Sequence, residues 1–233
     1  MLNINSISFD LKNCVLHTDE PTRRLWIDAD GVATLLRFNK EPVSWPFDLT
    51  MIDKARAFYG NQCEEAGGVM LSMDLLKIDG VQALRGLFKY RAPEPNSLAM
   101  MYVGILWIPF SDFNYQINVE AIERGTTGVR EALVFTMDPS DYPDPAAMQE
   151  ELLKVPAVLP EAEPIEVSSA EEMFARMRSQ PIRRLPSDHQ QFDAAFPNHP
   201  LSLVRNRTDL LAESLRLNKM WWQSLRPFRI RGH

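Results

Sequence analysis

The sequence predicts an α+β protein: an antiparallel β-sheet with a helix packed on it, then an acidic, proline-rich arm and a C-terminal amphipathic helix. Three observations predict it. Apolar residues alternate in runs joined by Asp-Gly pairs, the pattern of half-buried strands in hairpins. One stretch near residue 55 changes to a three- and four-residue spacing, which places its apolar side chains on one helical face. From about Asp138 the prolines recur, acids dominate and aromatic residues almost vanish.

The elements follow in order. ISFDL alternates through Ile7, Phe9 and Leu11 and reads as a first strand of an early sheet. LWIDADGVATLLRF is a hairpin turning at Asp30-Gly31, whose residues tolerate the left-handed angles of tight turns. Pro42 and Pro46 end the strand pattern. In DLTMIDKARAFYGNQCEEAGG the apolar positions are Leu49, Ile52, Ala55, Tyr59 and Cys63. Asp48 or Thr50 is expected to cap this helix, and Gly67-Gly68 to end it. VMLSMDLLKI and VQALRGLFKYR flank a second Asp-Gly, at 79–80. LAMMYVGILWIPF and NYQINVEAIE are the next strand pair. GTTGVREALVFTM reads as a short helix, with ALVFT equally acceptable as a strand. AEEMFARMR is a short helix within the arm. HPLSLVRNRTDLLAESLRLNKMWWQSL is the C-terminal helix, with a stripe of Leu201, Val204, Thr208, Leu211, Leu215 and Trp222. The expected divisions are a sheet domain over 1–137, an arm over 138–186 and a helical extension over 187–233.

Composition narrows the function classes. With 233 residues and 45% hydrophobic content the chain can bury a sizeable core. A net charge of −6 argues against a nucleic-acid partner and permits a protein partner with a basic surface. The start, MLNINSISFD, shows no secretory pattern. The apolar run from Leu98 to Phe110 is shorter than the roughly 20 residues of a membrane span. Cytoplasmic residence, with no membrane association, is the expectation. Cys14 and Cys63 form no pair motif and are expected to be buried, reduced thiols.

The order of strands, helix, four strands and helix over residues 1 to about 137 resembles the PsbP/Mog1-like fold, a group that includes the DcrB-like proteins. The resemblance implies a central antiparallel sheet with a last helix packed back on it. Some members look like chaperones or adaptors for secreted toxins and others are docking modules, so it implies binding more readily than catalysis. The resemblance does not extend to the lipid-anchor signal of DcrB-like lipoproteins.

Gly125-Thr126-Thr127-Gly128, with Arg130, offers the backbone N–H groups an anion site needs at a helix N-terminus. The glycine spacing and Lys-Ser/Thr pair of a P-loop are missing, so a strand-to-helix corner explains the same residues. Arg130 and Glu131 are then expected to pair locally with Glu123 or Arg124. Asp188, His189, Asp193 and His199 are metal-ligand types at a spacing that fits no known motif. Phe192 and Phe196 read as anchors of a short docking helix, with His199 bonding to the turn before Pro200. No nucleophile elbow is present, so no catalytic residue, cofactor or metal is assigned. Trp221 and Trp222, beside Arg226 and Phe228, combine the residue types that anchor protein interfaces.

These observations favour a non-enzymatic protein-binding module, with a chaperone, adaptor or immunity protein of a secreted toxin as its specific form. The alternative is a hydrolase with a non-local active site using His189 or His199. Homodimerisation through the C-terminal helix is a third expectation.

Overall fold

The computed structural model describes residues 3–137 and 169–218. Its framework is a seven-stranded antiparallel sheet in the order β2-β3-β4-β8-β7-β6-β5. The strands are β2 (Cys14–Glu20), β3 (Arg23–Asp28), β4 (Ala33–Asn39), β5 (Val69–Ile78), β6 (Val81–Arg91), β7 (Met100–Pro109) and β8 (Asn114–Ile122). The expected hairpins form at both Asp-Gly turns, where Gly31 and Gly80 have φ of 78° and 88°. The long apolar run is β7, an interior strand between β8 and β6.

Helix α1 (Ile52–Glu65) packs against one face of β5, β6 and β7. Trp45, Phe47, Phe88 and Trp107 fill this layer with Leu84, Ala55 and Cys63. The period of the sequence is met here, but the expected cap is not. Asp48 Oδ1 accepts from both the amide and the hydroxyl of Thr50, closing its own turn, so the helix starts later with Met51 as an uncapped N-cap.

The other face carries helix α4 (Pro200–Ser214), lying on β7 and β8. Its stripe of Leu201, Val204, Thr208 and Leu211, with Leu215 just beyond, is buried in the larger core with Leu36, Tyr102, Leu106 and Ile117. A Cβ on Gly104 would lie 2.4 Å from Thr208 Oγ1, so that glycine lets the helix settle on β7. The described helix is shorter than the pattern suggested. It ends at Ser214, because the chain then turns into β9 (Arg216–Leu217), which pairs with β1 (Ile7–Ser8). The first strand is therefore not part of the main sheet: Ile7 and Ser8 pair with the C-terminal end of the described chain.

Helix α2 (Val129–Thr136) forms where GVREALVFT was read as helix or strand. Helix α3 (Ala170–Ser179) also forms, with Ser169 as its N-cap accepting from the Glu172 amide. The returning chain is tied to the β6–β7 loop: Arg91 donates to the Met177 and Gln180 carbonyls, and Arg178 to those of Ala92, Glu94 and Ser97. The expected docking helix is instead two 3-10 turns, Pro186–Asp188 and Gln190–Phe192, with Phe192 buried. Cys63 is buried, whereas Cys14 is only half-buried, with its Sγ 3.1 Å from an Arg207 guanidinium nitrogen. Trp221, Trp222, Arg226 and Phe228 lie outside the described residues, as does most of the arm.

Candidate functional site

The GTTG stretch turns the chain from β8 into α2. Gly125 and Gly128 have φ of 71° and 73°, and Gly128 is the N-cap of α2. The group facing the Gly128 amide is the chain's own Glu123 carboxylate, at 3.5 Å. Glu123 also accepts from the Met100 amide at 2.8 Å. An internal carboxylate thus meets the positive end of the helix. Thr126 is exposed and Thr127 half-buried.

Arg130 does not join those residues in a surface pocket. It is 1% exposed and turns inward. Its Nε donates to the Ser187 carbonyl at 2.6 Å, and its terminal nitrogens reach Ser202 Oγ, the His189 carbonyl and Asp193 Oδ1. Phe196 lies against it, 5.6 Å from guanidinium carbon to ring centroid. Arg130 and Glu131 therefore make long-range, buried pairs in place of the expected local ones. Val134 shares the buried face of α2 with Arg130, four residues apart.

Beside them lies Lys89, also 1% exposed, from the α4 face of β6. Its ammonium is 2.9 and 3.1 Å from the two oxygens of Asp188 and 3.8 Å from Glu131 Oε1. Asp188 also accepts from the Leu185 amide. Arg205 holds Asp193 with one nitrogen and the Asp188 carbonyl with another. Three cations, Lys89, Arg130 and Arg205, thus face three carboxylates, Glu131, Asp188 and Asp193, while Glu123 faces His199. Buried charges are tolerated when paired and hydrogen-bonded, and the pairs on Asp188 and Asp193 meet that demand while tying β6, α2, the 3-10 turns and α4 together; Glu131 Oε2 is left without a hydrogen-bond partner.

His199 is the N-cap of α4. Its Nδ1 accepts from the Leu201 amide at 3.2 Å, as the expected turn bond requires. That bond puts the proton of the neutral ring on Nε2. Nε2 in turn faces Glu123 Oε1 at 3.4 Å, an attraction too poorly aligned to count as a good hydrogen bond. Burial alone pushes the Glu123 carboxyl up. The His199 contact and the Met100 and Gly128 amides outweigh it and hold the carboxyl below its ordinary range. Nearby, burial pushes the Tyr102 phenol far up, and Asp188, Glu131 and Glu123 add to that.

The chemistry this set can perform is limited. Glu123, Glu131 and His199 offer atoms within 4.8 Å of one another, close enough to share an ion. A metal needs the lone pair of Nε2, which the cap at Nδ1 leaves protonated, and Lys89 already stands beside Glu131. The same cap bond takes the lone pair of the neutral ring, so His199 has no nitrogen with which to take a proton from a nucleophile, as a triad histidine must. His189 is exposed, so the two histidines do not converge. Arg205 bridges the Asp193 carboxylate and the Asp188 carbonyl.

Alongside lies a cleft of about 420 Å³, floored by Leu71, Leu87 and Gly104 and walled by residues 184–190 and α4. It exists because α4 covers β7 and β8 but leaves β5 and β6 to the 184–190 segment. Arg85 at its side pairs with both Asp74 and Asp209. Lys89, Arg205 and Arg85 carry no sequence motif, and Glu123 is marked there only as a local ion-pair partner. The two-residue period of β6 carries a signal: Arg85 and Lys89 fall on the same face as buried Ala83 and Leu87.

No protein-family model matches the chain, and no curated protein matches it. Among solved structures it is similar to the Saccharomyces cerevisiae Ran-binding protein Mog1p, with a TM-score of 0.44, 11% identity and coverage of 94% of this chain and 96% of that one. It is also similar to an E65A mutant of protein Mog1, at a TM-score of 0.36 and 13% identity over 57% of this chain and 84% of that one. Likeness of this size speaks to neither partner nor activity. The element order that resembled the Mog1-like group thus has Mog1 proteins among its structural neighbours.

Proposed function

We propose that the protein is a non-enzymatic protein-binding module. The observation that carries this reading is the cap bond at His199 Nδ1, which takes the lone pair of the neutral ring and so denies a base to the buried acid–histidine pair. The buried cations and carboxylates around it are spent on holding residues 183–214 to the sheet. What faces solvent is a charged cleft and apolar side chains such as Phe135 of α2, 87% exposed. The specific form is a cytoplasmic chaperone, adaptor or immunity protein for a secreted toxin, and the acidic balance suits a basic partner. Trp221, Trp222, Arg226 and Phe228 belong to the proposed partner-binding surface.

Cross-linking the tagged chain in its native cells, followed by mass spectrometry, should recover one stoichiometric protein partner. Co-expression with a toxin encoded beside its gene should protect the cell. Turnover of ester, amide or phosphate substrates that His199→Gln abolishes while the fold survives would overturn the reading.

A further inference from the structure

Among the described residues, five buried side-chain atoms have no hydrogen-bond partner, and four of them belong to one place: Tyr102 Oη, Glu131 Oε2, Ser187 Oγ and His199 Nε2. The fifth, Thr34 Oγ1, lies on β4. The four come from β7, α2, the first 3-10 turn and the cap of α4, where the charged cluster sits. A buried polar atom left unpaired has lost its hydration and gained nothing in return. Tyr102 sharpens the point. It is 0% exposed, its ring lies edge-on to that of His199 at 5.4 Å between centroids, and the Lys89 ammonium is 5.9 Å from its centre. The charges of Asp188, Glu131 and Glu123 all act on its phenol, as they would on a hydroxyl pointing among them. Phenylalanine would fill a dry site equally well, whereas a buried tyrosine hydroxyl calls for a partner.

The groups that meet here select the ligand. The cap bond at His199 Nδ1 leaves a hydrogen on Nε2, and the Tyr102 phenol offers a second. Glu131 Oε2 offers lone pairs, as does Glu123 Oε1, whose bond from the Gly128 amide is long at 3.5 Å. One atom each of Glu123, Glu131 and His199 lies within 4.8 Å of the other two. A single small molecule spans such a gap with bonds of about 2.7–3.0 Å. A metal ion cannot accept the two hydrogens, and an anion would sit among the Glu123, Glu131 and Asp188 carboxylates. Water accepts two hydrogens and donates two. We propose that one long-lived water is built into this site, accepting from His199 Nε2 and Tyr102 Oη and donating to Glu131 Oε2 and Glu123 Oε1. It fastens β7 to α2 and to the start of α4, where the side chains do not reach one another directly, and it gives the hydroxyl of Tyr102 its purpose.

The test is a high-resolution crystal structure of the full chain, joined to magnetic relaxation dispersion of the water oxygen in solution, which counts internal waters and times their escape. Density for one light atom is expected at about 2.7–3.1 Å from both His199 Nε2 and Glu131 Oε2. Dispersion should count one long-lived water fewer in Glu131→Leu than in the wild type. Tyr102→Phe, which removes one of the four bonds, should shorten the residence time by about 3- to 10-fold. If a variant fails to fold, the wild-type density and dispersion decide alone. Three results overturn the proposal: no density between these side chains, a count unchanged by Glu131→Leu, or a residence time unchanged by Tyr102→Phe. A peak at the distance of a metal ligand, about 2.0–2.2 Å from Nε2, overturns it as well. None of these outcomes bears on the protein-binding reading, which stands or falls on recovery of a partner.

Discussion

The two faces of the sheet are covered by different physics. Under α1 the layer is aromatic: Trp45 and Phe47 stack, Tyr59 lies 4.5 Å from Trp107 between centroids, and Trp45 Nε1 donates to Tyr59 Oη. Under α4 the middle of the helix is equally apolar, but its N-terminal end is held by buried charges from four elements. Apolar packing is non-directional and tolerates repacking, whereas a buried charge is stable only while its partners stay in place. The α4 face should therefore fail abruptly when one charged partner is removed, and the α1 face gradually as its side chains are trimmed.

The sharpest way to break this contrast is Lys89→Met, which leaves Asp188 buried without its cation. It should cost about 3–5 kcal/mol by denaturant unfolding, and Lys89→Met with Asp188→Leu should recover much of that. If the single and double variants are equally unstable, the charge pairing is not what holds this face. On the other face Phe47→Ala should cost about 3 kcal/mol or more through the cavity it leaves, with the same loss at pH 5 and pH 8. A smaller effect is expected of Tyr59→Phe, which removes the bond from Trp45: about 1 kcal/mol. Wild-type Tyr59, pushed up to about 12 by burial, should stay un-ionised in a spectrophotometric titration until strongly alkaline pH. The smallest effect concerns Glu123. Its folded pKa lies below the unfolded value, so its contribution is present above about pH 4.5 and lost as pH falls through the folded pKa. Glu123→Gln should flatten that part of the stability–pH curve, and an unchanged slope would remove Glu123 from the account.

Much of the framework could be read from the residues because its signals are local. The Asp-Gly turns announce two hairpins, and Leu49, Ala55 and Cys63 keep the helical period that α1 buries. Strand β2 escaped because an edge strand needs little burial, and its apolar content is Val15 and Leu16 beside polar residues. The charged cluster escaped for another reason. Arg130 and Asp193 lie 63 residues apart, and no periodicity links them. A reader of β6 who asked why Lys89 falls on the inward face would have had one end of the network. His199 was read correctly as a turn residue, since a cap bond is local. Its meeting with Glu123 is not.

The close seating of α4 at Gly104 has a practical consequence. A methyl group there is a wedge that touches no charge and no ladder hydrogen bond. Gly104→Ala would pry the helix from β7 while sparing the ionic knot at its N-terminal end, uncoupling the two fasteners of that face. A chain so altered would show whether the knot alone keeps residues 183–199 seated, the molecular equivalent of loosening one hinge to see what the other bears.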